Sequence, residues 1–307
     1  MNNKNLVPLS ILLMLIGLFN AKLEGAPITF NTALPVSEGE FILREQILLV
    51  ESSNNPSADG LATKIERKEN TLISTLVYGL TPDLTLFATI PITNRQLKST
   101  NLSTFESTKR QSSGMGDVSF VTRYTVYKND FKGGSFRIAP FIGVKLSTGD
   151  DNKTDEQGAL PANIQNGSGT NDSFVGLVAT YASVDWEWDG QISYVDNESK
   201  ANLQRGNVLK LDMSLQYRFY PNQLTASTDT FINGVIEFNH SNQQQNRIDG
   251  VSIENSGGLI NFISPGIQWV TQRLILEASI QLPIRQPERN NGLEVDYVFR
   301  TGFRLNF

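Results

Sequence analysis

The 307-residue chain contains no cysteine and a single histidine, His240. These absences exclude a disulfide scaffold, a lipid-modified cysteine and a thiolate metal site. One histidine leaves too few nitrogen ligands for zinc or copper, so no metal and no cofactor are expected. Neither sign of charge dominates: 26 lysines and arginines face 31 aspartates and glutamates, a net −5. Nucleic acid requires a concentrated basic surface, which excludes it as a partner. No apolar run reaches the roughly 20 residues of a membrane-spanning helix. The longest, Leu6 to Phe19, follows Lys4 and precedes small and polar residues, which reads as a secretory signal. A cut after Gly25 is expected, because Pro27 disfavours one after Ala26. Helical spacing of 3.6 residues is missing from the remainder.

What the chain does have is alternation of period two. About twelve stretches show it: Phe41–Val50, Glu69–Leu80, Leu84–Ile92, Gly116–Tyr127, Ser135–Ser147, Ser173–Val184, Trp186–Asp196, Val208–Tyr220, Thr230–His240, Leu259–Val270, Leu274–Ile284 and Val295–Phe307. The last is the most informative. Val295, Tyr297, Phe299, Phe303, Leu305 and Phe307 share one parity, and Asp296, Arg300, Arg304 and Asn306 the other. In a strand these are opposite faces, one apolar and aromatic, one charged. A mean hydropathy of −0.23 resembles a soluble protein. A barrel gives the same value, because only alternate strand residues meet lipid.

The connections alternate in length. Thr81–Asp83, Val184–Trp186 and Thr271–Arg273 are tight turns, and Lys128–Gly134 and Pro221–Asp229 are moderate. Between them lie the longer polar segments Glu51–Lys68, Thr93–Ser113, Thr148–Asp172, Asn197–Asn207, Ser241–Gly258 and Arg285–Glu294, expected to be unstructured. One rim of short turns and one of long loops is the signature of an up-and-down barrel. A sandwich has no reason to segregate loop length. Tyr78, Tyr127, Trp186, Trp188, Tyr217, Phe219, Tyr220, Trp269 and Phe307 fall at the short-turn ends, as an interfacial girdle would. A sparser outer girdle is expected from Phe174, Tyr194 and Phe238.

With apolar residues toward lipid, the lumen receives Arg123, Arg137, Lys145, Glu187, Asp189, Lys210, Asp212, Arg218, Glu237, Glu277, Arg300 and Arg304. They line a pore that selects solutes, or they only satisfy one another. Eight strands are filled by side chains and 16–18 leave an open channel, so about twelve imply a narrow passage. A Ser–His–Asn site on the outer surface would make an acyl hydrolase. Ser241, adjacent to His240, points to the opposite strand face, so no enzyme is expected. Gly114–Asp117 and Asn166–Thr170 look like phosphate cradles, but each leads into a strand, so turn chemistry accounts for them. Asp150, Asp151, Asp155 and Glu156 read as a solvated acidic loop, with a bridging cation or lipopolysaccharide as the competing reading.

Several stretches together resemble an outer-membrane barrel family named for the meta-pathway of phenol degradation, whose members are regarded as transporters. They are Tyr78-Gly-Leu-Thr-Pro-Asp-Leu-Thr-Leu, Gly114-Met-Gly-Asp-Val, Ala139-Pro-Phe-Ile-Gly-Val-Lys-Leu-Ser-Thr-Gly149, Gly167-Ser-Gly-Thr-Asn-Asp172 and the closing Phe-Arg-Leu-Asn-Phe. Ser147 stands where relatives commonly carry proline. The resemblance implies a transporting barrel and carries over no catalytic or ligand residue. The terminal Phe307 resembles the signal read by the barrel-assembly machinery.

The expectation is an all-β, monomeric, transmembrane antiparallel barrel in the bacterial outer membrane. A cleaved signal (1–25) and a periplasmic or plug segment (26–40) precede the barrel (41–307). Its partners are outer-membrane lipid, lipopolysaccharide, the assembly machinery and a small solute. Passive passage of small, aromatic or hydrophobic solutes is the leading function. A closed barrel working through its outer loops is the second, and an acyl hydrolase the third.

Overall fold

The computed structural model describes residues 25–56, 60–221, 223, 225, 228–287 and 292–307. Residues 1–24 of the expected signal lie outside this set. The first strands are β1 (Phe41–Ser53), β2 (Thr63–Gly79), β3 (Leu84–Asn101), β4 (Ser107–Met115), β5 (Val118–Tyr124), β6 (Tyr127–Phe131) and β7 (Gly134–Leu146). The short pair β8 (Thr154–Asp155) and β9 (Gly158–Ala159) precedes β10 (Asp172–Ser183) and β11 (Trp186–Asp196). Then come β12 (Ser199–Lys200), β13 (Leu203–Gln204), β14 (Val208–Tyr220), β15 (Thr230–Gln243), β16 (Arg247–Ile248) and β17 (Val251–Ser252). The last are β18 (Gly258–Thr271), β19 (Leu274–Arg285) and β20 (Glu294–Asn306).

Neighbours in sequence pair antiparallel around the sheet, and β20 returns to β1 with Arg44 opposite Arg304. The stretch β4–β5–β6 is a single stave with two interruptions, since β4 and β5 both pair with β3 while β5 and β6 both pair with β7. The result is a closed barrel of 12 strands. The side-chain pattern is inverted relative to a soluble protein. On β14, Leu215 is 42% exposed and its neighbour Gln216 only 1%. The same reversal recurs at Ile192 against Ser193 and at Leu276 against Glu277. An exposed apolar band around a polar interior is stable only when hydrocarbon bathes the outside.

Rings at the short-turn rim form the expected girdle. Phe41 stacks on Tyr78 at 4.5 Å and on Phe307 at 5.9 Å, and Trp186 meets Tyr217 at 4.3 Å. The outer girdle is corrected at one position. Phe174 shares parity with the buried Asp172, Val178 and Thr180 and so faces inward, its ring lying over Gly143. Only an outward side chain reaches the lipid interface.

The long polar segments are also corrected, because much of each is structured. Strands β2 and β3 extend to Thr63 and Asn101, beyond the expected ends at Glu69 and Ile92. The loops after β11 and β15 pair through β13 and β16 into a small separate sheet, β12–β13–β16–β17. Two-residue strands are too short for periodicity to register.

Candidate functional site

Residues 25–40 enter the lumen from the short-turn rim and cross its lower half. Like any buried backbone without a sheet partner, this segment needs side chains to satisfy its polar groups. Inward-facing wall residues do so. Ile28 N–H donates to Glu237 Oε1 at 2.7 Å and Thr29 N–H to Glu237 Oε2 at 3.2 Å. The carbonyl of Ile28 accepts from Arg44 at 2.6 Å and from Gln46 at 3.1 Å. Arg304 donates to the carbonyl of Pro27, and Gln268 donates to that of Ala26 at 2.7 Å. Across the lumen, Ala33 N–H donates to Thr180 Oγ1 at 2.7 Å, while Arg123 donates to the carbonyls of Thr32 and Leu34. Apolar contacts complete the seat: Ala33 packs with Ala139 and Val178, and Val36 with Val77 and Phe87.

Glu277 is the electrostatic centre of the wall. Its carboxylate lies 2.9 Å from Arg44 and 2.8 Å from Arg304 and also accepts from Gln46 at 2.7 Å. A buried carboxylate is tolerable only with such compensation. Next to it Arg300 donates to Gln46 Oε1 at 3.0 Å. Asp189 accepts from Thr180 Oγ1, and Asp212 accepts from Asn239 at 2.9 Å. Between the segment and the wall, at the short-turn rim, a cavity of about 760 Å³ remains, bordered by Phe87, Arg123, Arg137, Glu187, Arg218 and Phe231.

The long-loop end is capped. Residues 147–171, between β7 and β10, fold back over the opening and bury Leu160 and Ile164. Asn166 donates to Thr93 Oγ1 at 2.6 Å, and Arg95 donates to the carbonyl of Gln165. Asp117 accepts from Ser168 N–H at 2.8 Å and Gly149 N–H at 3.0 Å. Glycine is required where the cap crosses itself: a β-carbon on Gly167 would stand 2.1 Å from the carbonyl oxygen of Gly149. Further out, Arg110 grips Asp155 through two hydrogen bonds, at 2.8 and 2.7 Å. That guanidinium holds the Asp155 carboxyl below its usual range.

The residues expected in the lumen therefore divide. Asp189, Asp212, Glu237, Glu277 and Arg300 lie in the inner polar network, and Arg123 joins it from the opposite wall. Arg218 pairs with Asp185 and Arg137 with Asp130, both at the short-turn rim. Lys145 sits at the other end, bridging Asp117 and Asp172 beneath the cap. Lys210 has lumen parity but is exposed, two residues from the buried Asp212 of the inner network. Phe307 exchanges two backbone hydrogen bonds with Phe41, each 3.0 Å. His240 Nδ1 lies 2.8 Å from Asn261 Oδ1, and among the described residues no serine hydroxyl is bonded to its ring. The acidic loop residues are partly neutralised, Asp150 by Lys153 and Asp151 by Lys200.

Sequence reading missed Arg44, Gln46, Phe87, Phe141, Phe174 and Val178. In β1 both faces carry a charge, Glu45 on one and Arg44 on the other, so parity alone does not orient the strand. In β10 both faces are largely apolar, and in β7 the inward face carries Phe141 beside Arg137 and Lys145.

A closed antiparallel barrel with an apolar belt and a polar interior defines a bacterial outer-membrane β-barrel protein. Within that class, the family described as the MetA-pathway of phenol degradation matches residues 59–300, and the chain belongs to that family. Among solved structures, an outer membrane channel from Pseudomonas putida F1 superposes with a TM-score of 0.64 at 15% identity, covering 92% of this chain and 100% of that one. The β domain of the Bordetella autotransporter BrkA reaches 0.48 at 10% identity, covering 87% of this chain and 99% of that one. No curated protein matches the sequence.

Proposed function

We propose that this barrel is a channel for the passive passage of small solutes, aromatic or hydrophobic ones included, across the outer membrane. One observation supports the reading most directly: the lumen keeps a cavity of about 760 Å³ between the inner segment and the wall. That volume falls in the roughly 300–1,000 Å³ range of small-molecule sites. Its border mixes rings (Phe87, Phe231) with guanidiniums (Arg123, Arg218), a combination suited to a small apolar body with a polar tip. Residues 26–40 act in this reading as an internal plug that narrows the passage. The surrounding partners are outer-membrane lipid, lipopolysaccharide and the machinery that recognises Phe307.

Planar-bilayer recording of the refolded protein tests the proposal. A small conductance is expected, rising severalfold when residues 26–36 are deleted. Absence of conductance and of liposome swelling in both proteins would remove the transport claim and leave the barrel. Neutralising Arg123 or Arg218 is expected to shift ion selectivity, and unchanged selectivity in both would make them structural. A second reading, a closed barrel acting through its outer surface, draws on the folded cap and the β12–β13–β16–β17 sheet. It predicts the silent outcome in the same recordings.

A further inference from the structure

Three buried amide oxygens inside the barrel have no hydrogen-bond partner: Gln216 Oε1, Asn233 Oδ1 and Gln268 Oε1. Their residues are 1%, 6% and 0% exposed. The three side chains converge on one backbone position. A β-carbon built on Gly25 would stand 2.8 Å from Gln216 Oε1, 3.6 Å from Gln268 Oε1 and 2.6 Å from Asn233 Nδ2. Two of the amides are locked in orientation by their opposite ends. Gln216 Nε2 faces the carboxylates of Glu187 at 3.3 Å and Asp189 at 3.5 Å. Gln268 Nε2 donates to the Ala26 carbonyl at 2.7 Å and to Glu277 Oε2 at 3.2 Å. Flipping either would set oxygen against oxygen.

Buried acceptors are rarely left bare, and a cluster of them calls for a donor with several hydrogens. A peptide N–H supplies one; a primary ammonium supplies three. The carboxylates of Glu187 and Asp189, one amide further out, favour a positive charge at the same place. The chain around it is already held, since Arg304 and Gln268 bind the carbonyls of Pro27 and Ala26.

We propose that this cluster is the binding site for the α-ammonium of the exported chain, created by hydrolysis of the Gly25–Ala26 bond. The cut consumes one water. Residues 1–25 leave with a carboxylate, and the new amine on Ala26 takes up a proton. Freed of Gly25, that ammonium turns into the space Gly25 leaves and donates to the oxygens of Gln216 and Gln268 and, once the unlocked Asn233 amide turns its oxygen inward in place of the nitrogen that now faces Gly25, to that of Asn233, pinning the free end of the inner segment to the wall. The site goes beyond the channel reading and holds whether or not the barrel conducts.

Two measurements on protein expressed from the full sequence and purified from outer membranes test it. Amino-terminal peptide mass analysis is expected to read Ala-Pro-Ile-Thr-Phe with a free amine. Any other start overturns the proposal. An amine-reactive ester applied near the ordinary α-amino pKa of about 8 is expected to label Ala26 at least about tenfold more slowly in the native barrel than after heat unfolding. Equal rates overturn it. Gln216→Leu, checked for folding by heat-modifiable mobility, is expected to restore much of the labelling, and a folded variant with unchanged protection also counts against the site. Should that variant not fold, the wild-type comparison decides alone.

Discussion

From β14 round to β1 the inner wall grips residues 26–29 with carboxylates, guanidiniums and amides. From β2 to β10 it supports residues 33–36 mainly with Ala139, Val178, Val77 and Phe87, Arg123 being the charged exception. The same short segment is thus held mainly by charged and amide groups on one side, and on the other by packing helped by Arg123 and the hydroxyl of Thr180. Directional bonds are all-or-none, because removing one partner strands the other in a place water does not reach. Packing is graded, since a smaller side chain loses contact in proportion to its missing atoms. The polar half should therefore define where the segment sits, and the apolar half how easily it lifts.

The sharpest way to break this contrast is Glu277→Ala, which leaves Arg44 and Arg304 facing one another without their shared carboxylate. A loss of about 3–5 kcal/mol is expected in urea unfolding from lipid vesicles. A change below about 1 kcal/mol would show that water enters and screens the network. On the other side, Val178→Ala removes two buried carbons and should cost about 1.5–2.5 kcal/mol in the same assay. Native-state hydrogen exchange should then separate the halves: the amides of Ala33 and Val36 speed up in that variant while those of Ile28 and Thr29 do not.

A third test turns to the outer face. Glu45 shares parity with Leu43 and Ile47, toward lipid, and its carboxylate accepts from Ser74 Oγ at 2.8 Å. Glu45→Leu should stabilise the barrel by about 1 kcal/mol, because acidic groups on the lipid face are mildly unfavourable. Destabilisation would mean that the Ser74 contact contributes more than lipid exposure costs. The smallest expected effect is on the cap. The Asp155 carboxyl is depressed by Arg110, so this link is fully formed above the ordinary carboxylate pKa and lost as pH falls through the lowered one. Protection of the Gly158 amide relative to its intrinsic exchange rate should be steady at neutral pH and fall only in strong acid, less sharply at high salt.

How far the sequence can be read depends on which face of each strand carries charge. In β14 and β19 one parity is apolar and the other polar, so the inward placement of Asp212, Arg218 and Glu277 follows from the alternation alone. The closing strand is equally plain. Strand β7 is oriented by Arg137 and Lys145, but Phe141 on the same face is apolar like the outward Ile142, and in β10 Phe174 and Val178 point inward and Val175 and Leu177 outward, so in β10 two greasy faces leave little to tell lumen from lipid. The small loop sheet escapes notice because its strands hold two residues each. The seating of residues 25–36 is illegible for a different reason: its bonds reach partners from 16 to more than 200 positions away, such as Arg44 and Glu237 from Ile28, and no local pattern encodes them.

The mutual hydrogen bonds between Phe41 and Phe307 make the seam of the cylinder the place where the first strand meets the last. The inner segment lies immediately before that first strand, so its grip on the wall and the closure of the cylinder share one stretch of backbone. Weakening that grip is expected to loosen the junction of first and last strands, read as a lower temperature at which heat-modifiable mobility is lost.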